Sequence, residues 1–153
     1  MVLGETAGVV LHRAAIPVLV ARVYDTGAGT PTHVLAATSA RRDDRETVRI
    51  AAELAHRHGA RLTVLHVSDH ASWEERRELE GQAAAARALG GQEPVLLVEP
   101  GRPVQGILEI AHSHADTLIV IGARGQAGLA ALSSVSERVS ARARCSVLVL
   151  RDP

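Results

Sequence analysis

Thr117-Leu-Ile-Val-Ile-Gly122-Ala-Arg-Gly125, followed by a polar connection to Ser133-Ser-Val-Ser-Glu-Arg-Val139, is the stretch on which the fold turns. Leu118 to Ile121 is a short, β-branched apolar run bounded by glycine, the pattern of a buried strand. Beyond it Leu132, Val135 and Val139 recur at three- and four-residue steps and predict a helix with one apolar face. Strand, glycine turn, polar loop and helix start together can hold an anion. Glycines let the backbone come close, and the amides of a first helical turn have no intrahelical partner. The hydroxyls of Ser133, Ser134 and Ser136 fall at the same point, either as ligand contacts or as helix caps. Taken alone, the glycine spacing fits a tight turn as well as a phosphate site.

Working outward, the same alternation of strand and helix fills residues 33–151. Val34 to Thr38 reads as a strand, Arg41 to Arg45 as a charged helix opening, and Val48, Ala51, Ala52 and Ala55 as a helical stripe that stops at Gly59. Leu62 to Val67 is the next strand. Ser72 with Glu75 makes a capping box for a helix from Trp73 to about Leu89, which Gly81 weakens by roughly 1 kcal/mol relative to alanine. Val95 to Val98 is a strand, Pro103 suits a first helical turn, and Val104, Ile107, Leu108 and Ala111 are that helix's apolar stripe. Val147 to Leu150 closes the series. Strands apolar almost throughout predict a parallel α/β sheet covered on both faces and doubly wound by right-handed crossovers. Ligands of such sheets sit beyond the strands' carboxyl ends. Here those are Thr38-Ser39, Val67-Ser68-Asp69, Val98-Glu99 and Gly122 to Gly125.

Composition narrows the chemistry. The chain of 153 residues is 46% hydrophobic, enough for one well-packed core, and its 17 basic and 17 acidic residues cancel. No whole-chain footprint for nucleic acid or an anionic membrane results. Every basic residue is arginine, so a phosphate-loop lysine, a Schiff-base lysine and a lysine general base are all excluded. The lone Cys145 precedes an apolar strand and reads as a small core residue. With Trp73 and Tyr24 the only aromatics, no stacking platform for single-stranded nucleic acid is expected. No stretch has the pattern of a membrane span or a signal peptide, and the expected compartment is the cytoplasm. His56-x-His58 and His112-x-His114 diverge around their helices, so no metal site is expected.

Residues 1–32 repeat the end of the chain. Val9-Val10-Leu11-His12-Arg13 leading into Pro17-Val18-Leu19-Val20-Ala21-Arg22 matches the run from Val139 into Ser146-Val147-Leu148-Val149-Leu150-Arg151. Asp25 to Pro31, rich in Gly and Thr, reads as a linker.

Leu65-His66-Val67, Val120-Ile121-Gly122-Ala123-Arg124-Gly125 and Ser134-Val135-Ser136-Glu137-Arg138-Val139, in that order across His33 to Arg151, resemble the universal stress protein family. The resemblance implies a five-stranded parallel, Rossmann-like sheet of the adenine nucleotide alpha hydrolase-like kind, here with an extra N-terminal strand. It implies a small regulatory module of the stress response, with ATP or another adenine nucleotide as ligand and magnesium only where the nucleotide carries it. Other members work without nucleotide, so the alternative expectation is an interaction or dimerisation module acting through its last-strand edge. Carried over residue by residue, the phosphates would lie on Gly122, Gly125, Ser133, Ser134, Val135 and Ser136, and Ser39 and Val67 would flank the adenosine. Arg41 could turn to a phosphate or stand solvated at its helix start.

The chain departs from the family's pattern at three points. Ser133 stands where the last glycine should be, and seven residues rather than nine separate it from Gly125. Ser39 stands where an acidic residue normally ends the first strand. Losing one charged contact costs about 1–3 kcal/mol, or about one to two powers of ten in affinity. Catalysis is not expected, and any ATP hydrolysis should be slow. The N-terminal repeat resembles the closing helix and strand of a truncated tandem domain, joined by its linker to the main domain at 33–153. A family edge strand pairs with another subunit's. A homodimer or strand-exchanged dimer is therefore expected through the stretch from Pro17 to Arg22 and Ser146 to Leu150, unless that pairing closes within one chain and caps the edge.

Overall fold

Alternation along each strand sends successive side chains to opposite faces of one sheet, and helices bury both faces. The computed structural model describes residues 4–22, 29–123 and 135–151. Its elements run α1 (Glu5–Arg13), β1 (Val18–Val20), β2 (His33–Ala37), a 3-10 turn (Arg42–Asp44), α2 (Arg45–His58), β3 (Arg61–Val67), α3 (Trp73–Ala88), β4 (Val95–Glu99), α4 (Pro103–His112), β5 (Thr117–Gly122), α5 (Val135–Arg142) and β6 (Ser146–Leu150). The six strands lie in the order β1-β6-β5-β2-β3-β4. All neighbours are parallel except β1, which runs antiparallel to β6. The five-stranded parallel sheet with one added N-terminal strand is therefore the architecture observed.

On one face Leu35, Leu65, Ile119, Ile121, Val147 and Val149 pack with Ile107, Leu108 and Ala111 of α4, Val139 of α5 and Leu11 of α1. On the other, Val34, Ala36, Leu62, Val64 and Val120 pack with Val48, Ala51, Ala52 and Ala55 of α2 and Leu79 and Ala86 of α3. Local chemistry sets the helix ends. Ser72 Oγ accepts from the Glu75 amide while the Glu75 carboxylate accepts from the Ser72 amide, the capping box read from sequence. Gly59 ends α2 at φ 63°, a left-handed conformation that costs glycine least. Pro103 opens α4.

Two details differ from the sequence pattern. β2 begins at His33, whose ring is buried between the hydroxyls of Thr63 (Nε2, 2.9 Å) and Thr117 (Nδ1, 3.0 Å), so a polar residue extends the strand. The buried face of α5 is Ser136, Val139 and Ser140, whereas Val135 is 38% exposed. The apolar three- and four-residue spacing is real, but the helix presents the neighbouring stripe to the sheet, one residue further round.

The N-terminal unit is tied to α5 and β6. Val18, Leu19 and Val20 pair with Val149, Leu148 and Val147. The Arg22 amide donates to Ser146 Oγ (2.9 Å), and its guanidinium donates to the carbonyls of Ser140 (2.9 Å) and Ala143 (3.3 Å) at the end of α5. A cation on the last carbonyls of a helix also meets the negative end of its dipole. His12 Nδ1 lies 3.0 Å from Glu137 Oε1.

Candidate functional site

Strand order reverses between β5 and β2: the chain goes from β2 outward through β3 to β4, then returns to add β5 and β6 on the other side. Neighbouring loops diverge there and open a crevice at the strands' carboxyl ends. A cavity of about 120 Å³ occupies it. Ala37, Leu65, Val67, Ile107 and Ile121 give it an apolar floor, and Thr38, Ser39 and Asp44 a polar wall, with Gly122 and Val135 at the margin. That volume takes one ring-sized group, so a larger ligand must extend beyond it.

The polar wall is a locked network. Asp44, only 6% exposed, ends the 3-10 turn that follows β2. Its Oδ2 accepts from the Ser39 amide (2.7 Å) and from Ser39 Oγ, and Thr38 Oγ1 lies 3.5 Å away. Thr38 Oγ1 donates to Gln82 Oε1 (2.9 Å), and Gln82 Nε2 donates to the Arg41 carbonyl (3.0 Å). Between them Ala40 is a non-glycine residue at φ 59°, its amide on Thr38 Oγ1 at 3.0 Å. A left-handed alanine persists only where its surroundings fix it. Glu78, held by a two-pronged contact from Arg45 (2.6 and 2.7 Å), also accepts from Gln82 and braces the network from α3.

Two glycines act by what they lack. A Cβ on Gly122 would stand 3.1 Å from Thr47 Oγ1 and 3.3 Å from Asp44 Oδ1, so a side chain there would make those two neighbours give by a few tenths of an ångström. A Cβ on Gly106 would lie 2.8 Å from Val67 Cγ2, so a side chain there would force α4 or the end of β3 to shift.

The sequence-derived candidates divide into three groups. Ser39, Val67, Gly122 and Val135 come together around the cavity. Ser136 is buried on the inner face of α5, and Arg41 is an exposed side chain before the 3-10 turn whose carbonyl, not its guanidinium, joins the network. Gly125, Ser133 and Ser134 lie outside the described residues, as do Arg124 and Leu132. Sequence reasoning missed Asp44 and Gln82. Asp44 stood in a stretch read as a charged helix opening, and Gln82 looked like any polar residue of α3. Nor did Gly106, inside a helical stripe, carry a turn signal.

Several of the histidines have structural partners. His33 is neutral at pH 7: burial, with His114 and Arg61 nearby, pushes its pKa down to about 4. His114 stacks on it with ring centroids 4.2 Å apart. His112 Nε2 accepts from the Arg144 amide (3.1 Å). His66 Nδ1 meets the Thr38 carbonyl at 3.0 Å, while its buried Nε2 has no hydrogen-bond partner and lies 3.8 Å from Glu75 Oε1. Burial pushes the Cys145 thiol up to about 11, which makes it a poor nucleophile at neutral pH. Among the described residues no cluster of three or more His, Cys, Asp or Glu could hold a metal ion, and no helix is long and apolar enough to cross a membrane.

Comparison with known proteins follows the same outline. The model of the universal stress protein family matches residues 31–84 and 71–151. A Thermus aquaticus protein named "Universal stress protein in QAH/OAS sulfhydrylase 3'region" is 37% identical over 123 residues, covering 70% of this chain and 89% of its own. The crystal structure of a universal stress protein from Archaeoglobus fulgidus superposes at TM-score 0.82 with 25% identity, over 99% of this chain and 56% of its own. This chain therefore spans about half of that one, α1 and β1 included. A second Archaeoglobus fulgidus structure, a universal stress protein in complex with dAMP, matches at TM-score 0.62 and 26% identity over 80% of this chain and 98% of its own.

Proposed function

The chain belongs to the universal stress protein family, and from that premise we propose that it is a small regulatory module of the stress response that binds an adenine nucleotide at the carboxyl ends of β2, β3 and β5. The observation that carries this is the cavity at the point of strand reversal, with an apolar floor fit for a base and a hydrogen-bonding wall beside it. The dAMP complex of a relative 26% identical supports the ligand class. The base lies against Val67, Leu65 and Ile107, and the phosphates extend past Gly122 toward the start of α5, where the positive end of the helix dipole favours an anion. In this reading the module serves by binding, and any hydrolysis is slow, since the chain has no phosphate-loop lysine. Magnesium enters only with the nucleotide.

Calorimetry with ATP, ADP and AMP, with and without magnesium, tests the reading, and phosphate release in the same samples tests the absence of turnover. Saturable heat at micromolar to millimolar nucleotide is expected. No heat with any of the three at millimolar concentration rejects nucleotide binding.

A second reading concerns assembly and rests on the β1–β6 pairing. We propose that α1 and β1 stand in for the closing helix and strand of a second such domain and occupy the border through which β6 would otherwise meet another subunit. Dimers then form through this border only by exchange of β1.

A further inference from the structure

We propose that Arg151 is an unfilled latch for a second copy of this chain, and that Arg22 occupies the seat the partner's arginine would take. This inference rests on the capping role given above to α1 and β1, and it names the residues that choose between capping and assembly. Four buried side-chain atoms have no hydrogen-bond partner among the described residues. Three of them, Ser140 Oγ and Arg151 Nε and Nη2, belong to α5 and the residue that follows β6. A buried donor left without an acceptor costs its full desolvation, and a charged one costs more than a neutral one. Nε and Nη2 share one edge of the guanidinium, the edge that meets two acceptors side by side.

Arg22 shows what such an edge takes. The repeat that matches Val18-Leu19-Val20 with Val147-Leu148-Val149 makes Arg22 the counterpart of Arg151. Arg22 works through the same two nitrogens: Nε donates to the Ala143 carbonyl (3.3 Å) and Nη2 to the Ser140 carbonyl (2.9 Å). Its amide donates to Ser146 Oγ. All three acceptors belong to α5 and β6. The matching acceptors for Arg151 on the N-terminal unit would be the carbonyls of Leu11 and Ala14, with Pro17 where Ser146 should be, and proline has no hydroxyl. Neither carbonyl receives the Arg151 edge. The in-chain unit therefore satisfies one side of a two-sided border. While Arg22 holds α1 and β1 in place, that border admits only exchange of β1. Once they leave it, the α5 and β6 of a second copy, set antiparallel against the first, offer each Arg151 the three acceptors that Arg22 now uses. They also put Ser140, a hydrogen-bonding residue, where Leu11 stands now. The two arginines thus compete for one seat at the carbonyl end of α5, where the helix dipole favours a cation.

The test measures self-association of the full chain by sedimentation equilibrium, with folding checked by circular dichroism. Arg22→Met should tighten association by about tenfold or more, and adding Arg151→Met should return it to the level of the unaltered chain. Arg22→Gln takes its place if Arg22→Met does not fold. Arg151→Met alone should leave the unfolding midpoint undiminished, because the two buried nitrogens bond nothing within one chain. The border itself is read by a disulfide. In the antiparallel arrangement Leu148 faces its own copy, so Leu148→Cys with Cys145→Ser should cross-link on oxidation when combined with Arg22→Met, and less once Arg151→Met is added. If association and cross-linking of the Arg22 variant ignore Arg151→Met, or if Arg151→Met alone lowers the midpoint, the assignment is overturned while capping stands. An Arg22 variant that associates no more tightly than the unaltered chain also overturns it, and capping is then judged by removal of residues 1–30.

Discussion

At the scale of single residues His33 shows how a buried polar group is satisfied by geometry. Its ring bridges two threonine hydroxyls from the strands on either side of β2, so it belongs to the sheet rather than to any site. Its pKa falls from 6.5 to about 4, first because of burial and then through His114 and Arg61. Between those values the unfolded chain binds a proton that the folded chain refuses. The contribution to stability is therefore complete above pH 6.5 and is lost as pH drops through this window, by at most about 1.4 kcal/mol per pH unit. Urea unfolding should show a lower midpoint at about pH 5 than at about pH 7, and His33→Gln should remove much of that slope. A wild-type midpoint independent of pH over this range would show that the ring is not the acid-sensitive group.

At the scale of elements, two glycines inside helices predict opposite outcomes for one substitution. Gly81 in α3 has nothing within 4 Å of an added Cβ, so Gly81→Ala should stabilise by about 0.5–1 kcal/mol through helix propensity alone. Gly106 in α4 would gain the same propensity, but its Cβ would press on Val67, 2.8 Å from one methyl and 3.1 Å from the other. Valine is stiff at χ1, and overpacking costs about 1–3 kcal/mol, so the sum is a loss on the order of 1 kcal/mol. Because Val67 also lines the cavity, Gly106→Ala should weaken nucleotide binding as well. Thermal melts of the two variants check the sign. If both gain stability, the α4–β3 crossing is looser than described.

At the scale of the whole molecule the decisive feature is a local two-fold relation. The repeat matches Val18, Leu19 and Val20 with Val147, Leu148 and Val149 in sequence. In space the antiparallel ladder sets Leu19 opposite Leu148 and exchanges the valines around them. Two equivalent strands paired about their equivalent central residue are what a symmetric dimer border looks like when one chain supplies both sides. α1 follows the same logic, burying Leu11 against the sheet face that α5 covers. Removing residues 1–30 uncovers the β6 edge, and an uncovered edge seeks a partner. Light scattering should then show a larger species for the shortened chain than for the full one. Equal masses for the two would refute the capping role.

What the sequence determined by itself is whatever depends on residues near one another along the chain. The strand and helix series, the capping box at Ser72, the stop at Gly59 and Pro103 at the head of α4 all follow from periodicity and local backbone preference, while the pairing of the N-terminal strand with β6 was expected from the repeat together with the family resemblance. The strands' carboxyl ends also predicted where the crevice would open, and Ser39, Val67 and Gly122 do meet there. Only the tertiary structure decided which stripe of α5 faces inward and why Gly106 must lack a side chain. It alone brought an aspartate from a charged helix start under the wall of the cavity. The first two are contacts between elements far apart in the chain, set by how closely they approach, and the third depends on how a tight turn folds back on the strand before it. Close approach depends on packing in three dimensions, which no spacing along one chain encodes.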